Sequence, residues 1–285
     1  MTPMATSAPT CSVAVEVEAL EVDLVLEGIY RGYGVDFRNY ARESVRRRLL
    51  RRAQGEGLAT ISALQERVLH DPACMARLLA DLSVNVTSMF RDPSFYRALR
   101  ARVVPALRTY PFIRIWSAGC STGEEAYSIA ILMQEAGLYE RTRIYATDMN
   151  GDVLEDARRG QFPIEKMKDY TANYIAAGGT RSFSEYYTAD ADTVRFDRSL
   201  ADNIVFARHN LVSDRSFNEF NVILCRNVLS YFAPSLQDEV NRLLYESLTI
   251  LGVLGLGRKE SLKSTGLERR YERLDPVERL YRRTM

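Results

Sequence analysis

Residues 112–130 read FIRIWSAGCSTGEEAYSIA, and they join an apolar, strand-like run to a helix-like run through a turn of small residues. Small residues at 118–123 let the backbone approach a ligand closely and leave the amide groups of the helix N-terminus accessible. The next strand-like run, residues 143–148 (RIYATD), ends in Asp148, where an acidic side chain can accept hydrogen bonds from two ribose hydroxyls. We therefore predict a ligand site at the carboxyl edge of a parallel sheet.

The glycine turn differs from the dinucleotide fingerprint because two acidic residues, Glu124 and Glu125, follow it directly. Carboxylates repel a pyrophosphate and attract a cation such as the sulfonium and amino groups of S-adenosylmethionine. The charge pattern therefore favours S-adenosylmethionine over NAD. The alternative from these residues alone is an empty tight turn with solvated glutamates.

The rest of the chain alternates short strand-like runs with helix-like runs after residue 112. Further strands are predicted at 204–210 and 221–227, and helices at 124–136, 152–159 and 235–251, the last stopped by Gly252. Such alternation predicts a doubly wound α/β domain with a largely parallel sheet. Residues 162–203 interrupt the pattern and read as an insertion with a helical start and short strands. Residues 16–104 are helical in pattern.

Composition argues against a disordered, collagen-like or fibrous chain and against a membrane-spanning one. With 46% hydrophobic and 26% charged residues and a net charge of +1, the chain has the composition of an ordinary globular protein. Its most apolar uncharged run, residues 247–257, is much shorter than the ~20 residues of a membrane span. The first residues have neither a basic start nor an apolar block, so we expect no signal peptide and no membrane insertion.

Cysteine and histidine usage indicates a reducing compartment and no metal. Cys11, Cys74, Cys120 and Cys225 are scattered without a C-x-x-C pair, which predicts a cytoplasmic protein. The two histidines, His70 and His209, do not have the spacing of metal ligands. The near-zero net charge argues against bulk nucleic-acid binding.

Two further loops could carry chemistry. Residues 225–232 (CRNVLSYF) end an apolar strand with polar residues at the same sheet edge, so Asn227 could bind a cofactor and Tyr231 could cap the reacting group. Simple strand termination with a buried tyrosine is an equally good interpretation of this loop. Residues 85–91 (NVTSMFR) form the second loop, although an ordinary helix start after them would explain the same pattern.

A basic segment, residues 36–52, combines an apolar face with seven arginines against two acidic residues. A concentrated positive face of this kind attracts an acidic surface, either a nucleic acid or an acidic protein. A solvated helix face is the ordinary alternative.

Taken together, NVTSMFR, SAGCSTGEEAYSIA, ATD, HNL, LCRNVLSYF and GVLGLGRKESL resemble, in order, the CheR family of chemotaxis receptor methyltransferases. The resemblance implies a Rossmann-like S-adenosylmethionine-dependent methyltransferase domain with a small β-rich insertion, preceded by an all-α domain. We expect a disordered tail over residues 1–19, a helical domain over 20–90, a linker helix over 91–105 and the methyltransferase domain over 106–285. The implied activity is methyl transfer to glutamate side chains on the cytoplasmic helices of chemoreceptors, by a monomer without a metal.

The resemblance also assigns site residues. Arg91 and Tyr231 would lie nearest the methyl group as catalytic residues. The cofactor would be bound by Asn85, Thr87, Arg91, Glu124, Glu125, Asp148, Asn210, Leu211, Asn227 and Val228. The basic helix would dock on receptor helices through Arg46, Arg47, Arg48, Arg51 and Arg52.

Three positions depart from the family pattern. Met89 stands in a usually aromatic slot, Ala126 replaces a proline, and residues 257–260 (GRKE) replace Gly-His-Ser-Glu. Two other functions stay open at this point: a CheR-like module that binds the cofactor without transferring methyl, and a methyltransferase for a non-chemotaxis protein or RNA. An RNA or amino-group methyltransferase would be expected to carry an N-P-P-[YF] or D-P-P-Y signature at the Asn227 loop, which this chain lacks.

Overall fold

The computed structural model describes residues 10–82, 87–263, 265–275 and 277–284. The chain divides into two compact units, residues 1–83 and residues 84–285. The division assigns residues 84–105 to the second unit, whereas the sequence suggested a boundary near residue 90 followed by a separate linker helix. Asn85 lies outside the described residues.

The first unit is built from helices α1 (Thr10–Tyr33), α2 (Arg42–Gly55), α3 (Ile61–His70) and α4 (Pro72–Leu82). Its core contains Ile29 of α1, Leu49 of α2 and Leu64 of α3, all fully buried. Residues 10–19, which the sequence predicted as part of a disordered tail, belong to α1, and residues 1–9 lie outside the described residues. Only part of the basic segment is helical, because residues 36–41 are not helical and α2 begins at Arg42.

The second unit begins with α5 (Pro93–Arg102) and α6 (Val104–Leu107), and its remaining elements alternate between strands and helices. In chain order they are β1 (Ile113–Ala118), α7 (Glu124–Glu135), β2 (Thr142–Asp148), α8 (Gly151–Arg159), β3 (Gln161–Pro163), α9 (Met167–Ala176), β4 (Tyr187–Ala189), β5 (Thr193–Phe196), β6 (Ile204–Arg208), β7 (Phe220–Cys225), α10 (Pro234–Glu246), β8 (Leu248–Leu256), β9 (Tyr271–Arg273) and β10 (Leu280–Arg283).

The main sheet has the strand order β6-β2-β1-β7-β8-β10-β9. Its first five strands are parallel, and β10 and β9 add an antiparallel edge. Apolar side chains bury both faces, as in β7, where every residue is buried. The predicted doubly wound α/β architecture is therefore confirmed. The chain order reverses between β1 and β7, and open α/β sheets of this type bind their ligands at such a switch point.

The insertion forms its own small antiparallel sheet, with the order β3-β5-β4, and the ring of Tyr170 on α9 contacts that of Phe162 on β3. A β-rich insertion was predicted here, and the structure confirms it.

The helix predicted over residues 235–251 is wrong in its last part, because α10 ends at Glu246 and residues 248–256 form β8. Leu248 and Leu251 continue the helical spacing of the preceding leucines, which explains the error. Pairing of β8 with β7 buries residues 252–256 almost completely, and this long-range contact overrides the local pattern.

Within the described part of the chain, no helix is both long enough and apolar enough to cross a membrane.

Candidate functional site

The turn after β1 is held in shape by glycine conformations and by the neighbouring strand. Gly119 and Gly123 both have positive φ, at 75° and 94°. The N–H groups of Gly119 and Cys120 both donate to the carbonyl oxygen of Thr147, at 2.8 and 2.9 Å. A Cβ atom on Gly119 would lie 2.5 Å from Cγ2 of Val228, so only glycine lets the loops after β1 and β7 meet.

Asp148 lies at the carboxyl end of β2, as predicted. Its Oδ2 accepts from the backbone N–H of Ser121 and its Oδ1 from that of Asn150, both at 3.0 Å. These bonds fix both carboxylate oxygens next to the glycine turn, and they leave acceptor capacity for a ligand's hydroxyls. Burial raises the pKa of Asp148 above its ordinary value, while the backbone N–H bonds oppose that rise.

Glu124 is fully buried and the side chain of Glu125 is only 14% exposed, so the structure does not show the solvated glutamates of the alternative interpretation. Glu124 is fully buried, and its carboxylate accepts from the hydroxyl of Thr122 at 2.6 Å and from that of Tyr170 at 2.9 Å. Nζ of Lys166 lies 3.7 Å from the same carboxylate. Because Tyr170 and Lys166 belong to the insertion, Glu124 joins the start of α7 to the insertion.

Glu125 faces the opposite direction, towards the loop after β7. Its Oε1 accepts from the hydroxyl of Ser117 at 2.8 Å, and its Oε2 pairs with Nη1 of Arg226 at 3.2 Å. Burial raises the pKa of Glu125, while the charges of Arg226 and Arg91 and the Ser117 hydrogen bond lower it. Glu125 is therefore an anionic group that lies beside two cationic side chains at the sheet edge.

The segment before α5 brings Arg91 to this edge. The N–H of Phe90 donates to Oγ of Ser128 on α7 at 2.9 Å, and Ser128 contacts the sulfur of Met89 at 3.5 Å. Met89 and Phe90 are fully buried. Met89, at a position that is usually aromatic in the family, is therefore a core residue. Arg91 and Thr87 are partly exposed in this loop.

The loop after β7 contains Asn227, Val228 and Tyr231, and a carboxylate that the sequence did not single out holds its backbone. Glu260 is buried, and its carboxylate accepts from the N–H groups of Asn227 at 2.9 Å, Ser230 at 3.3 Å and Gly257 at 2.7 Å. Asn227 has a positive φ of 62°. Glu260 therefore keeps a strained loop in place beneath the predicted cofactor contacts.

Arg226 is the second functional residue whose role the sequence left undefined. The sequence shows it only as one of the polar residues that end an apolar strand. In the structure it is buried and connects Glu125 to the Arg91–Asp92 turn. An arginine that closes an otherwise apolar strand is the available sequence signal, but its partners lie about a hundred or more residues away along the chain.

The HNL segment follows β6 and reaches the same edge. The N–H of His209 donates to the carbonyl oxygen of Asp148 at 3.1 Å, which places Asn210 and Leu211 beyond the end of β2. The side chain of Asn210 accepts from the N–H of Val212 at 3.0 Å and so closes a local turn. The predicted residues that follow β1, β2, β6 and β7 therefore lie at one sheet edge within the second unit.

The five predicted docking arginines of α2 have different surroundings. Arg46 pairs with Glu18, and Arg52 pairs with Asp81 at 2.6 Å. Arg48 is buried and donates to the carbonyl oxygen of Leu82 at 2.7 Å. Arg47 and Arg51 are exposed. Of the five, these two residues are the most exposed.

No group of three or more histidine, cysteine or acidic side chains in the described ranges has a geometry suited to a metal ion.

Comparison with known proteins agrees with this geometry. The all-α domain model of CheR methyltransferases matches residues 20–83, and the S-adenosylmethionine-binding domain model of CheR methyltransferases matches residues 85–275. One relative is a Pseudomonas putida protein that is provisionally named methyltransferase Cher3. It is 48% identical over 93% of this chain and 97% of its own length. The chemotaxis protein methyltransferase of Escherichia coli is 31% identical over 85% of this chain and 84% of its own length. That of Listeria monocytogenes is 29% identical over 82% and 87%.

Proposed function

Because the chain belongs to the CheR family of S-adenosylmethionine-dependent methyltransferases, we propose that it methylates glutamate side chains of methyl-accepting chemoreceptors. The products are glutamate methyl esters and S-adenosylhomocysteine. The observation that carries the proposal is the arrangement of Asp148, Glu125 and Arg91 at one sheet edge. Asp148 is an acceptor for ribose, Glu125 is an anion for an ammonium group, and Arg91 is a cation for an acidic acceptor.

The residues present fit S-adenosylmethionine. Both oxygens of Asp148 are held by backbone N–H groups and keep acceptor capacity, which suits a ribose. The acidic Glu125 stands where a dinucleotide would need a neutral or positive group for its pyrophosphate. When bound, the cofactor supplies a methyl group activated by a positively charged sulfur.

The acceptor needs little activation by the protein. A glutamate side chain has a reference pKa of about 4.3, so it is already a carboxylate nucleophile near neutral pH. The protein must mainly orient that carboxylate, and such positioning can supply most of the rate enhancement. We assign this work to Arg91, which would pair with the carboxylate, and to Tyr231, which would donate a hydrogen bond to it.

Methylation of membranes tests the proposal directly. The purified chain is incubated with labelled S-adenosylmethionine and membranes from the source organism, and the label is then treated with mild alkali. We expect label on a receptor band and its release as methanol, because esters of carboxylic acids are alkali-labile. Alkali-stable label, or label on RNA, would assign the chain to a different acceptor, and binding without any transfer would make it a non-catalytic binding module.

A Tyr231→Phe variant separates catalysis from binding. We expect kcat to fall by about tenfold to a hundredfold, while the Kd for S-adenosylhomocysteine changes less than twofold, since only the hydroxyl is removed. Equal losses in turnover and in binding would remove the catalytic role of Tyr231.

We propose that the exposed arginines of α2 recognise the receptor. In a variant with both Arg47→Ser and Arg51→Ser, we expect KM for receptor membranes to rise by about tenfold, with kcat nearly unchanged and a weaker salt dependence. The matched control changes Arg269→Ser and Arg270→Ser, an exposed pair in the second unit, and removes the same charge. An equal rise of KM in the control would show that net charge alone is responsible.

The remaining parts of the proposal concern cellular location, oligomeric state and partners. We propose that the chain acts in the cytoplasm as a monomer and that its partners are the cytoplasmic helices of chemoreceptors. Size-exclusion chromatography with light scattering tests the monomer, and labelled receptor bands test the partner.

A further inference from the structure

Arg226 is a buried arginine that contacts three separate parts of the second unit. Only 3% of its side chain is exposed. Nη1 lies 3.2 Å from Oε2 of Glu125, which follows β1. Nη2 donates to the carbonyl oxygen of Arg91 and to Oδ2 of Asp92, both at 2.9 Å, in the turn before α5. One guanidinium group therefore connects the loops after β1 and β7 to the turn that contains Arg91.

The turn that Arg226 holds is strained. Phe90 and Asp92 have positive φ values of 49° and 58°, a region that residues other than glycine rarely adopt. The backbone at Arg91 lies between these two residues, so the direction of its side chain depends on the strained turn. The guanidinium carbon of Arg226 also lies 4.1 Å from the ring centre of Phe95, which fixes its plane against α5.

We propose that Arg226 is a positioning residue that holds Glu125 and the Arg91–Asp92 turn in one fixed arrangement, which binds S-adenosylmethionine. Its planar fork is required, because two nitrogen atoms contact groups on different segments at the same time. This inference rests on the function proposed above only for the identity of the ligand. It adds a residue that need not touch the ligand itself.

The proposal has a consequence for charge. Glu125 is largely buried, and burial raises its pKa, so its ionisation depends on nearby positive charge. An opposite charge at this range lowers a carboxyl pKa by about 1–3 units. Loss of Arg226 should therefore bring protonation of Glu125 towards neutral pH. The ionisable groups that face the Glu125–Arg226 pair are Arg91, Asp92, Tyr96, Cys120 and Cys225.

The experiment measures binding of S-adenosylhomocysteine by calorimetry at pH 6, 7 and 8 in the full chain. In the unchanged chain we expect a Kd that varies less than twofold over this range. In Arg226→Met we expect weaker binding at pH 8 and a further loss of about tenfold at pH 6, because Glu125 becomes protonated. In Arg226→Lys we expect weaker binding that stays nearly constant with pH, because the charge is kept while the fork is lost.

Two further variants distinguish positioning from stability. Arg100→Met removes the partner of another buried carboxylate, that of Glu135, away from the site. We therefore expect lower stability but the pH behaviour of the unchanged chain. The double variant Arg226→Met with Glu125→Gln leaves no buried unpaired charge. It keeps the test available if Arg226→Met alone does not fold, and its binding should be weak and independent of pH.

The outcomes are distinct. Binding by Arg226→Lys at the affinity of the unchanged chain would overturn the proposal, because the fork would then be dispensable. A pH dependence in Arg226→Met equal to that of the unchanged chain would overturn it as well, and so would a pH dependence that persists in the double variant. Failure of the unchanged chain to bind at all would instead contradict the proposed function.

Discussion

Glu260 offers the sharpest test of how the site is held together, because one buried carboxylate accepts three backbone N–H groups. Two of the bonds, from Gly257 and Asn227, are short at 2.7 and 2.9 Å, and the third, from Ser230, is 3.3 Å long. A hydrogen bond to a charged group contributes about 1.5–3 kcal/mol. Allowing for relaxation of the loop and entry of water, we expect Glu260→Ala to lower the free energy of unfolding by about 3 kcal/mol.

The Glu260→Gln variant should destabilise the protein less than Glu260→Ala does. Gly257 and Asn227 both donate to Oε2, so a single amide oxygen can replace that acceptor. The amide nitrogen would then face the N–H of Ser230, which loses its weak bond. We therefore expect a loss of about 1 kcal/mol in Glu260→Gln, well below that in the alanine variant.

The assay is denaturant unfolding followed by tryptophan fluorescence. The chain has one tryptophan, Trp116, buried in β1 of the second unit, so the signal reports on the unit that contains Glu260. A loss of 3 kcal/mol corresponds to a fall in Tm of roughly 6–12 °C for a unit of this size. Glu272→Ala is the matched control, because its carboxylate is exposed and 3.4 Å from Arg282, and it should cost less than about 0.5 kcal/mol.

The reasoning about Glu260 would be refuted if the alanine and glutamine variants were equally stable, or if alanine cost less than about 1 kcal/mol. Either result would mean that water replaces the carboxylate without loss and that the loop after β7 is held by other contacts. Weaker binding of S-adenosylhomocysteine should accompany the loss of stability, because the affected backbone includes Asn227.

Three further predictions concern other parts of the site. Gly119→Ala should lower the free energy of unfolding by about 2–3 kcal/mol, because the residue has a positive φ and its new Cβ would clash with Val228. Adding Val228→Ala should remove the clash, so that the double variant is about 1 kcal/mol less stable than the unchanged chain. Tyr170→Phe should cost about 1–2 kcal/mol, because the buried Glu124 loses a hydroxyl donor, and thermal melting would measure this. Since burial raises the pKa of Asp148, cofactor affinity should fall as pH falls, starting above the ordinary aspartate range. Calorimetry on Asp148→Asn should show weaker cofactor binding, with an affinity that does not fall further as the pH is lowered.

Local patterns predicted the parts of the fold that local physics determines. The strand, turn and helix around residues 112–130 agree with β1, the glycine turn and α7, because small residues and apolar runs specify them without distant partners. Asp148 was predicted correctly at the end of β2 for the same reason. Strand β8 was missed because its leucines also fit the period of α10, and only pairing with β7 selects the strand.

The parts of the site that the sequence did not reveal depend on contacts across long separations. Arg226 meets Glu125 across 101 residues and Asp92 across 134, and Glu260 meets Asn227 across 33. No periodicity or local motif in the sequence predicts such a pairing. The same limit applies to α2, where Arg48 belongs to an arginine-rich run and yet is buried against the carbonyl group of Leu82.

The two glutamates after the glycine turn show how far a charge argument from sequence can go. Consecutive residues on a helix point about 100° apart, so Glu124 and Glu125 cannot serve one ligand equally. Glu124 is fully buried and turned towards the insertion, where Tyr170 donates to it. Glu125 is turned towards Arg226 and Arg91. A cationic ligand at this edge would therefore meet mainly the charge of Glu125, and that charge is shared with an arginine whose loss would change it.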